Sequence, residues 1–182
     1  MVEIASRLQR LLIVGSPAAG KSDLAQRIGL MASLPVHHLD ALYYRPGWVD
    51  QNEERWRETV EKISSEERWV IDGNHLNVMP QRLARAQAIF WLDYDRIETT
   101  KRVLSRMILP QPMPRLDLAE GCVESWSVDF LTFAWNFVDT ERKLLDVALA
   151  AVNETQVVIR VQRPKDLRYF MDRFKNRFKS KA

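Results

Sequence analysis

Gly15, Gly20, Lys21 and Ser22 stand in the spacing G-x-x-x-x-G-K-S across "GSPAAGKS", directly after the apolar run "RLLIV". Glycine at both ends of such a loop lets consecutive backbone N–H groups turn inward around an anion. Ser16, Pro17, Ala18 and Ala19 supply the backbone between them. A helix that starts near Lys21 adds the positive end of its dipole. Lys21 can reach the outer phosphates of a triphosphate, and the Ser22 hydroxyl can coordinate Mg²⁺, a hard ion that prefers oxygen. The chemistry indicated is the cradling of a nucleoside triphosphate with its magnesium.

A second signal lies at "WVIDG", where an apolar run ends on Asp72. A carboxylate at the tip of a strand beside the loop holds Mg²⁺, usually through water; the alternative is a helix cap or turn residue. Gly73 follows it, so no neighbouring side chain can activate water as the glutamate of many motor and transporter ATPases does. An Asn-Lys-x-Asp guanine-reading motif is absent as well, since the fourth strand ends "WLDYDR". Transfer to a bound acceptor is favoured over hydrolysis.

These residues need strands and helices to hold them. Short apolar runs predict strands at 10–14, 69–72, 88–93 and 156–161, with "PVHHLD" (35–40) a weaker fifth. Helical patterns lie between them. One covers 21–32, and one follows an Asp50/Glu53 capping pair with Trp56, Val60 and Ile63 on one face. Others start near Pro80, follow Asp95 with Glu98 as capping partner, run long over about 124–151, and begin at Pro164. Strands separated by helices predict an α/β fold, a parallel sheet covered on both faces with its ligand at the carboxyl ends of the strands. The Pro-rich "LPQPMPR" (109–115) reads as an excursion inside one domain spanning 1–182.

Composition narrows the class. The chain has 182 residues, 46% hydrophobic and 28% charged, and no run approaches the ~20 apolar residues of a membrane span. Its start, "MVEIASRLQRLLIVG", does not read as a cleaved signal peptide, so a cytoplasmic protein without a membrane partner is expected. A lone cysteine, Cys122, excludes an internal disulfide and reads as a small hydrophobe. Seven Lys and Arg residues against two Asp fall within 165–182, which makes the basic balance mainly a property of the tail. Such a tail can touch nucleic acid. Leu167, Phe170, Met171, Phe174 and Phe178 interleave with it at helical spacing, however, and favour a docked helix over about 164–180 with a solvated basic face.

With "GSPAAGKS", "VHHLD", "WVIDGNH" and "IFWLDYDR" in this order, the chain resembles small P-loop kinases of the adenylate kinase and shikimate kinase type. "HLDALYYRPGW", "DGNH" with "QRLARAQAIFWLD" behind it, and "LAEGC" resemble more closely a bacterial group labelled DNA topology modulation protein. The resemblance covers roughly residues 10–172. It implies a P-loop three-layer sandwich with a five-stranded parallel sheet in order 2-3-1-4-5, ATP and Mg²⁺ binding, and a short arginine-bearing lid, expected at about 109–121. Asp40 matches the acidic position that faces the acceptor in shikimate-kinase-like enzymes, where it could orient or deprotonate a hydroxyl; a cap or turn role is the alternative. Arg82 falls on the arginine after the "DGN" element and could clamp an anionic acceptor. Arg102 and Arg106 share a helix face, with Arg115 just beyond, and lid arginines meet the charge on a transferred phosphoryl group; solvated surface charge is the alternative. Trp48, in "RPGW", is a candidate acceptor contact. Adenylate kinases follow their Asp-Gly with Phe-Pro-Arg; here Asn74-His75-Leu76 stands instead, which argues against AMP as acceptor.

The expectation is an ATP-dependent small-molecule kinase, monomeric or homodimeric. In it Lys21, Asp40, Arg106 and Arg115 are catalytic, Ser22 and Asp72 hold metal, and Asp40, Trp48, Arg82 and Arg102 hold the acceptor. Two alternatives stay open: a nucleotide-binding regulator that touches DNA through its basic terminal helix, and an ATPase switch.

Overall fold

The computed structural model describes residues 8–109, 115, 117–122 and 127–179, with side chains described as far as residue 172. Most of the proline-rich segment, residues 110–114, lies outside the described residues. So do Leu116, residues 123–126 and the side chains of Phe174 and Phe178.

Strand β1 (Arg10–Gly15) is central, and β5 (Trp69–Asp72) and β6 (Ala88–Leu92) pair with it in parallel on either side. β2 (Val36–His38) lies outside β5, and β7 (Val157–Val161) outside β6. With a separate hairpin, β3 (Tyr44–Arg45) and β4 (Val49–Asp50), set aside, the sheet runs in the order 2-3-1-4-5. β5 and β6 are buried at every residue, which is why they read as unbroken apolar runs.

Side chains alternate between two cores. Leu12, Val14, Trp69, Ile71, Ile89 and Trp91 meet Trp56, Val60 and Ile63 of α3 (Glu53–Ser65) and Leu145 of α7 (Glu141–Ala150). Leu11, Ile13, Val70, Phe90 and Leu92 meet Leu24 and Ile28 of α1 (Lys21–Ala32) and Met171 of α8 (Pro164–Lys179). Leu167 and Phe170 of α8 pack on that second core, the Phe170 ring meeting Phe90 edge-on at 5.2 Å between centroids.

Three local readings change. The cap of α3 is Asn52, whose side chain accepts the Arg55 N–H at 3.1 Å, because Asp50 is taken into β4. The long helix expected over about 124–151 is two, α6 (Val128–Asn136) and α7. The chain turns between them because the N–H groups of Asp139 and Thr140 both close on the Asn136 carbonyl, while Phe137 is fully buried. The strand expected over 35–40 stops at His38, and Leu39–Tyr43 forms a short helix, α2. α4 (Met79–Arg85) carries Pro80 in its first turn, and α5 (Arg96–Ile108) is capped by Asp95, which accepts the Glu98 N–H at 2.8 Å. Among the described residues, no helix is long and apolar enough to cross a membrane.

Candidate functional site

The loop after β1 is built from backbone. Gly15 has φ 132°, Gly20 has φ 90°, and Ala18 between them is also left-handed at 51°. A side chain at Gly15 would place its Cβ 2.2 Å from the Leu92 carbonyl oxygen, so only glycine lets β1 leave the sheet there. Ser16, fully buried, pins the loop to the end of β6. Its N–H donates to the Leu92 carbonyl at 2.8 Å, and its hydroxyl donates to the Tyr94 carbonyl at 3.1 Å. From the other side, the Asn74 amide group accepts the Gly15 N–H at 2.9 Å and donates to the Gly15 carbonyl at 3.0 Å.

Lys21, at the start of α1, donates to the Gly15 and Ser16 carbonyls, each at 3.0 Å. Burial lowers its pKa, although the carboxylates of Asp40, Asp72 and Asp117 pull it upward. The loop thus holds a lysine whose charge is poorly solvated, a ready partner for phosphate oxygens.

One residue along, the Ser22 hydroxyl donates to Asp72 at 2.9 Å. The other Asp72 oxygen takes a close hydrogen bond from His38 Nδ1, and His38 Nε2 lies 2.7 Å from the Gln26 amide nitrogen. β2 and β5 are in register with His38 opposite Asp72, which fixes this pair at the carboxyl end of the sheet. Burial would depress the His38 pKa, but the bond and charge of Asp72 outweigh it and raise the pKa. Among the described residues, no group of three or more His, Cys, Asp or Glu side chains could hold a metal unaided. Mg²⁺ bound with a triphosphate takes one or two protein oxygens and fills its shell with phosphate and water. Ser22 and Asp72 offer two hard oxygen donors side by side, and so fit it.

Across the cleft, Asp40 sits in the first turn of α2 and accepts a 2.9 Å hydrogen bond from His75 Nε2. Burial would raise its pKa; the His75 bond and charge, with help from Lys21, leave it lowered. Lys21 therefore feels Asp72 and Asp40 together. His75 is itself held in a left-handed conformation, φ 35°, with its ring 4.9 Å from Tyr43 and 5.0 Å from Trp56.

Arg82 has a different place from the one its sequence position suggests. It is fully buried on α4 and donates to the Val78, Gly73, Asn74 and His75 carbonyls. Burial pulls its pKa down to about 9. The arginine is a clamp on the turn after Asp72, and its guanidinium does not reach an acceptor. Arg102 stands with the phosphate loop: it donates to the Ala18 carbonyl at 2.9 Å, lies 5.6 Å over the Tyr94 ring and pairs with Glu98 at 3.5 Å. Arg106 is one turn further along α5 and half-buried. Trp48, 41% exposed, ends the turn of the hairpin.

Of the segment expected to be a lid, Arg115 and residues 117–121 are described. Arg115 forms a two-point ion pair with Asp117. Burial would raise the Asp117 pKa, but the hydrogen bonds and charge of Arg115, with the Ser22 hydroxyl nearby, lower it. Asp117 therefore reaches the phosphate loop. Further on, the Gly47 N–H donates to the Gly121 carbonyl at 3.2 Å, and the Cys122 thiol meets the Arg45 carbonyl at 3.3 Å. Residues 117–122 thus span from Ser22 to the hairpin. Sequence reasoning missed Asp117, whose only signal is its place two residues after Arg115. It also missed His75 as the partner of Asp40, although both stand in the motifs quoted above.

No protein-family model matches the chain, and no curated protein matches it. Among solved structures, shikimate kinase from Bacteroides thetaiotaomicron superposes with a TM-score of 0.55 at 14% identity, covering 94% of this chain and 99% of that one. Shikimate kinase from Acinetobacter baumannii in complex with shikimate gives 0.49 at 14% identity, over 95% and 98% of the two chains. A gluconokinase from Sinorhizobium meliloti 1021 gives 0.46 at 13% identity, over 86% and 84%. The first of these likenesses establishes the fold, a five-stranded parallel P-loop sheet with helices around it.

Proposed function

We propose that this chain is an ATP-dependent kinase that moves the γ-phosphoryl group to a hydroxyl of a small molecule. The observation that carries the reading is the placement of two carboxylates of different kind around one lysine. Asp72 is bonded to Ser22 on the magnesium side, Asp40 is bonded to His75, and the charge of both reaches Lys21. With Gly73 directly after Asp72, the carboxylate able to orient an attacking hydroxyl comes from a different element, α2.

In this reading the N–H groups of the loop from Ala18 to Ser22 and the α1 terminus hold the phosphates, and Lys21 turns from the loop carbonyls to the transferred group. Mg²⁺, held by Ser22 and Asp72, supplies charge neutralisation at the phosphates. The acceptor oxygen attacks the γ-phosphorus, the bond to the β,γ-bridging oxygen breaks, and ADP leaves. The hydroxyl proton passes to Asp40. A carboxylate with a lowered pKa is a weak base, which suits a loose transition state in which the proton leaves late and Asp40 mainly orients the hydroxyl. Arg102, Arg106 and Arg115 are the cations assigned to charge on the equatorial oxygens, Arg102 and Arg115 exchanging present partners for it.

The test is ATP turnover with Mg²⁺ across a panel of acceptors. Acceptor-dependent ADP formation that Lys21→Ala abolishes supports the proposal; turnover that survives Lys21→Ala refutes it. The DNA-binding alternative rests on the basic residues of α8, and a salt titration with duplex DNA tests it, since phosphate contacts weaken steeply with salt.

A further inference from the structure

Five aromatic rings form a continuous row on the acceptor side. Trp56, fully buried, lies 5.0 Å from His75, His75 4.9 Å from Tyr43, Tyr43 5.0 Å from Tyr44, and Tyr44 5.1 Å from the exposed Trp48. The row runs from the core to the surface and passes Asp40, which His75 touches directly and whose charge reaches Tyr44. Two of its members have left-handed backbone, His75 at φ 35° and Trp48 at φ 62°. Such a conformation costs a bulky residue roughly 1–2 kcal/mol and persists where surrounding structure enforces it. Of the other two non-glycine residues with positive φ, Ala18 shapes the phosphate loop and Ser33 ends α1.

Charge on this side is equally telling. Arg82 is buried against backbone carbonyls. Among the described residues, the other cations named at this end are committed: Lys21 to the phosphate loop, Arg45 to the Asp50 carbonyl at 3.1 Å, His75 to the Asp40 carboxylate, Arg102 to the Ala18 carbonyl and Glu98, Arg115 to the Asp117 carboxylate. A carboxylate or phosphate on the acceptor would meet Asp40 and Asp117, and any of these arginines would have to leave its present partner to reach it.

Resting on the kinase reading above, we infer that the acceptor is a neutral, hydroxyl-bearing molecule with one flat apolar face. The face lies on Trp48 and Tyr44, and the hydroxyl points to Asp40. The flat face can be the base of a nucleoside or the C–H face of a sugar; both present uncharged carbon to an aromatic ring and carry free hydroxyls. The hairpin that holds Trp48 is tied to residues 121 and 122, so the wall is fixed by the same segment that reaches Ser22.

The experiment is calorimetric titration of the whole protein, loaded with Mg²⁺ and a non-hydrolysable ATP analogue, with four groups of probe: neutral nucleosides, neutral sugars, sugar acids including shikimate and gluconate, and nucleoside monophosphates. The inference expects saturable binding from one of the two neutral groups, and which one identifies the flat face. It also expects Trp48→Ala to weaken that binding roughly tenfold or more and Trp48→Phe to restore most of it. Binding confined to the charged groups, no saturable binding in either neutral group, or neutral binding indifferent to Trp48→Ala would overturn it. A neutral molecule that binds through Trp48 but takes no phosphoryl group from ATP leaves this inference standing and removes the kinase reading instead.

Discussion

The two ends of the cleft are made of different material. The end assigned to phosphate is a single loop, Gly15 to Ser22, made of backbone, a helix terminus and the Lys21 ammonium, and anchored to Leu92, Tyr94 and Asn74. The end assigned to the acceptor is made of side chains, Asp40, Tyr44, Trp48 and His75, which come from separate stretches of chain. A phosphate looks alike in every triphosphate, so one backbone geometry serves all of them and leaves a fixed spacing in the sequence. An acceptor differs from kinase to kinase, and so does the set of side chains that surrounds it.

Substitutions separate the two ends. The largest effect is expected at Lys21: Lys21→Ala should cut ATP-dependent turnover by about 10³-fold, roughly 4 kcal/mol of transition-state stabilisation, with the melting temperature little changed. Steady-state rates and thermal melts on one preparation check both halves. Arg82→Leu should do the reverse in kind. It strips partners from several buried carbonyls and should cost about 3 kcal/mol of stability, a Tm fall of about 6–12 °C in a chain of this size. If Arg82→Leu instead left stability intact and raised the acceptor KM, the clamp described for Arg82 would be wrong and its role as a direct acceptor ligand would return.

Asp40→Asn comes next. It keeps the shape of the acceptor end and should lower kcat by about 10²-fold while a fluorescent ATP analogue binds as before. Loss of nucleotide binding in that variant would erase the distinction between the two ends.

A smaller effect is expected outside both. Buried Asp93 receives Arg142 at 2.6 Å and Arg160 at 2.6 Å, joining the end of β6 to α7 and β7. Burial would raise its pKa, but those two arginines lower it. A group depressed in the folded state stabilises fully above its unfolded pKa of about 3.9 and loses that contribution as pH falls through the folded value. Asp93→Asn should therefore cost about 1–2 kcal/mol near neutral pH, discounted for the solvent that reaches both arginines, and nearly nothing in strong acid. Urea melts at pH 7 and pH 2.5 would show a gap between variant and wild type that narrows at the lower pH.

The same division decides what could be read beforehand. The three inner strands were legible because burial on both faces leaves unbroken apolar runs such as "WVID" and "AIFWL", while the edge strands β2 and β7 are only partly buried and were read from shorter apolar runs. The phosphate loop and Asp72 were legible from spacing. The hairpin around Gly47 was not, since two-residue strands leave no alternation to detect. Nor was the split between α6 and α7, where helical spacing continues through Phe137 and only the paired turn on the Asn136 carbonyl breaks it. Arg82 misled because position after "DGN" says nothing about whether a guanidinium points into the cleft or under it. Asp40 was legible as a carboxylate at a strand tip; its partner His75 needed the fold to bring residues 35 apart in sequence together.

One measurement bears most directly on the central claim. Wild-type protein is incubated with Mg²⁺ and ATP labelled at the γ-phosphorus, with and without the acceptor panel, and the label is followed into products. Label should appear on an organic hydroxyl, in step with ADP, and remain in ATP when no acceptor is present. Label recovered only as inorganic phosphate, at one rate whether or not an acceptor is added, would contradict it.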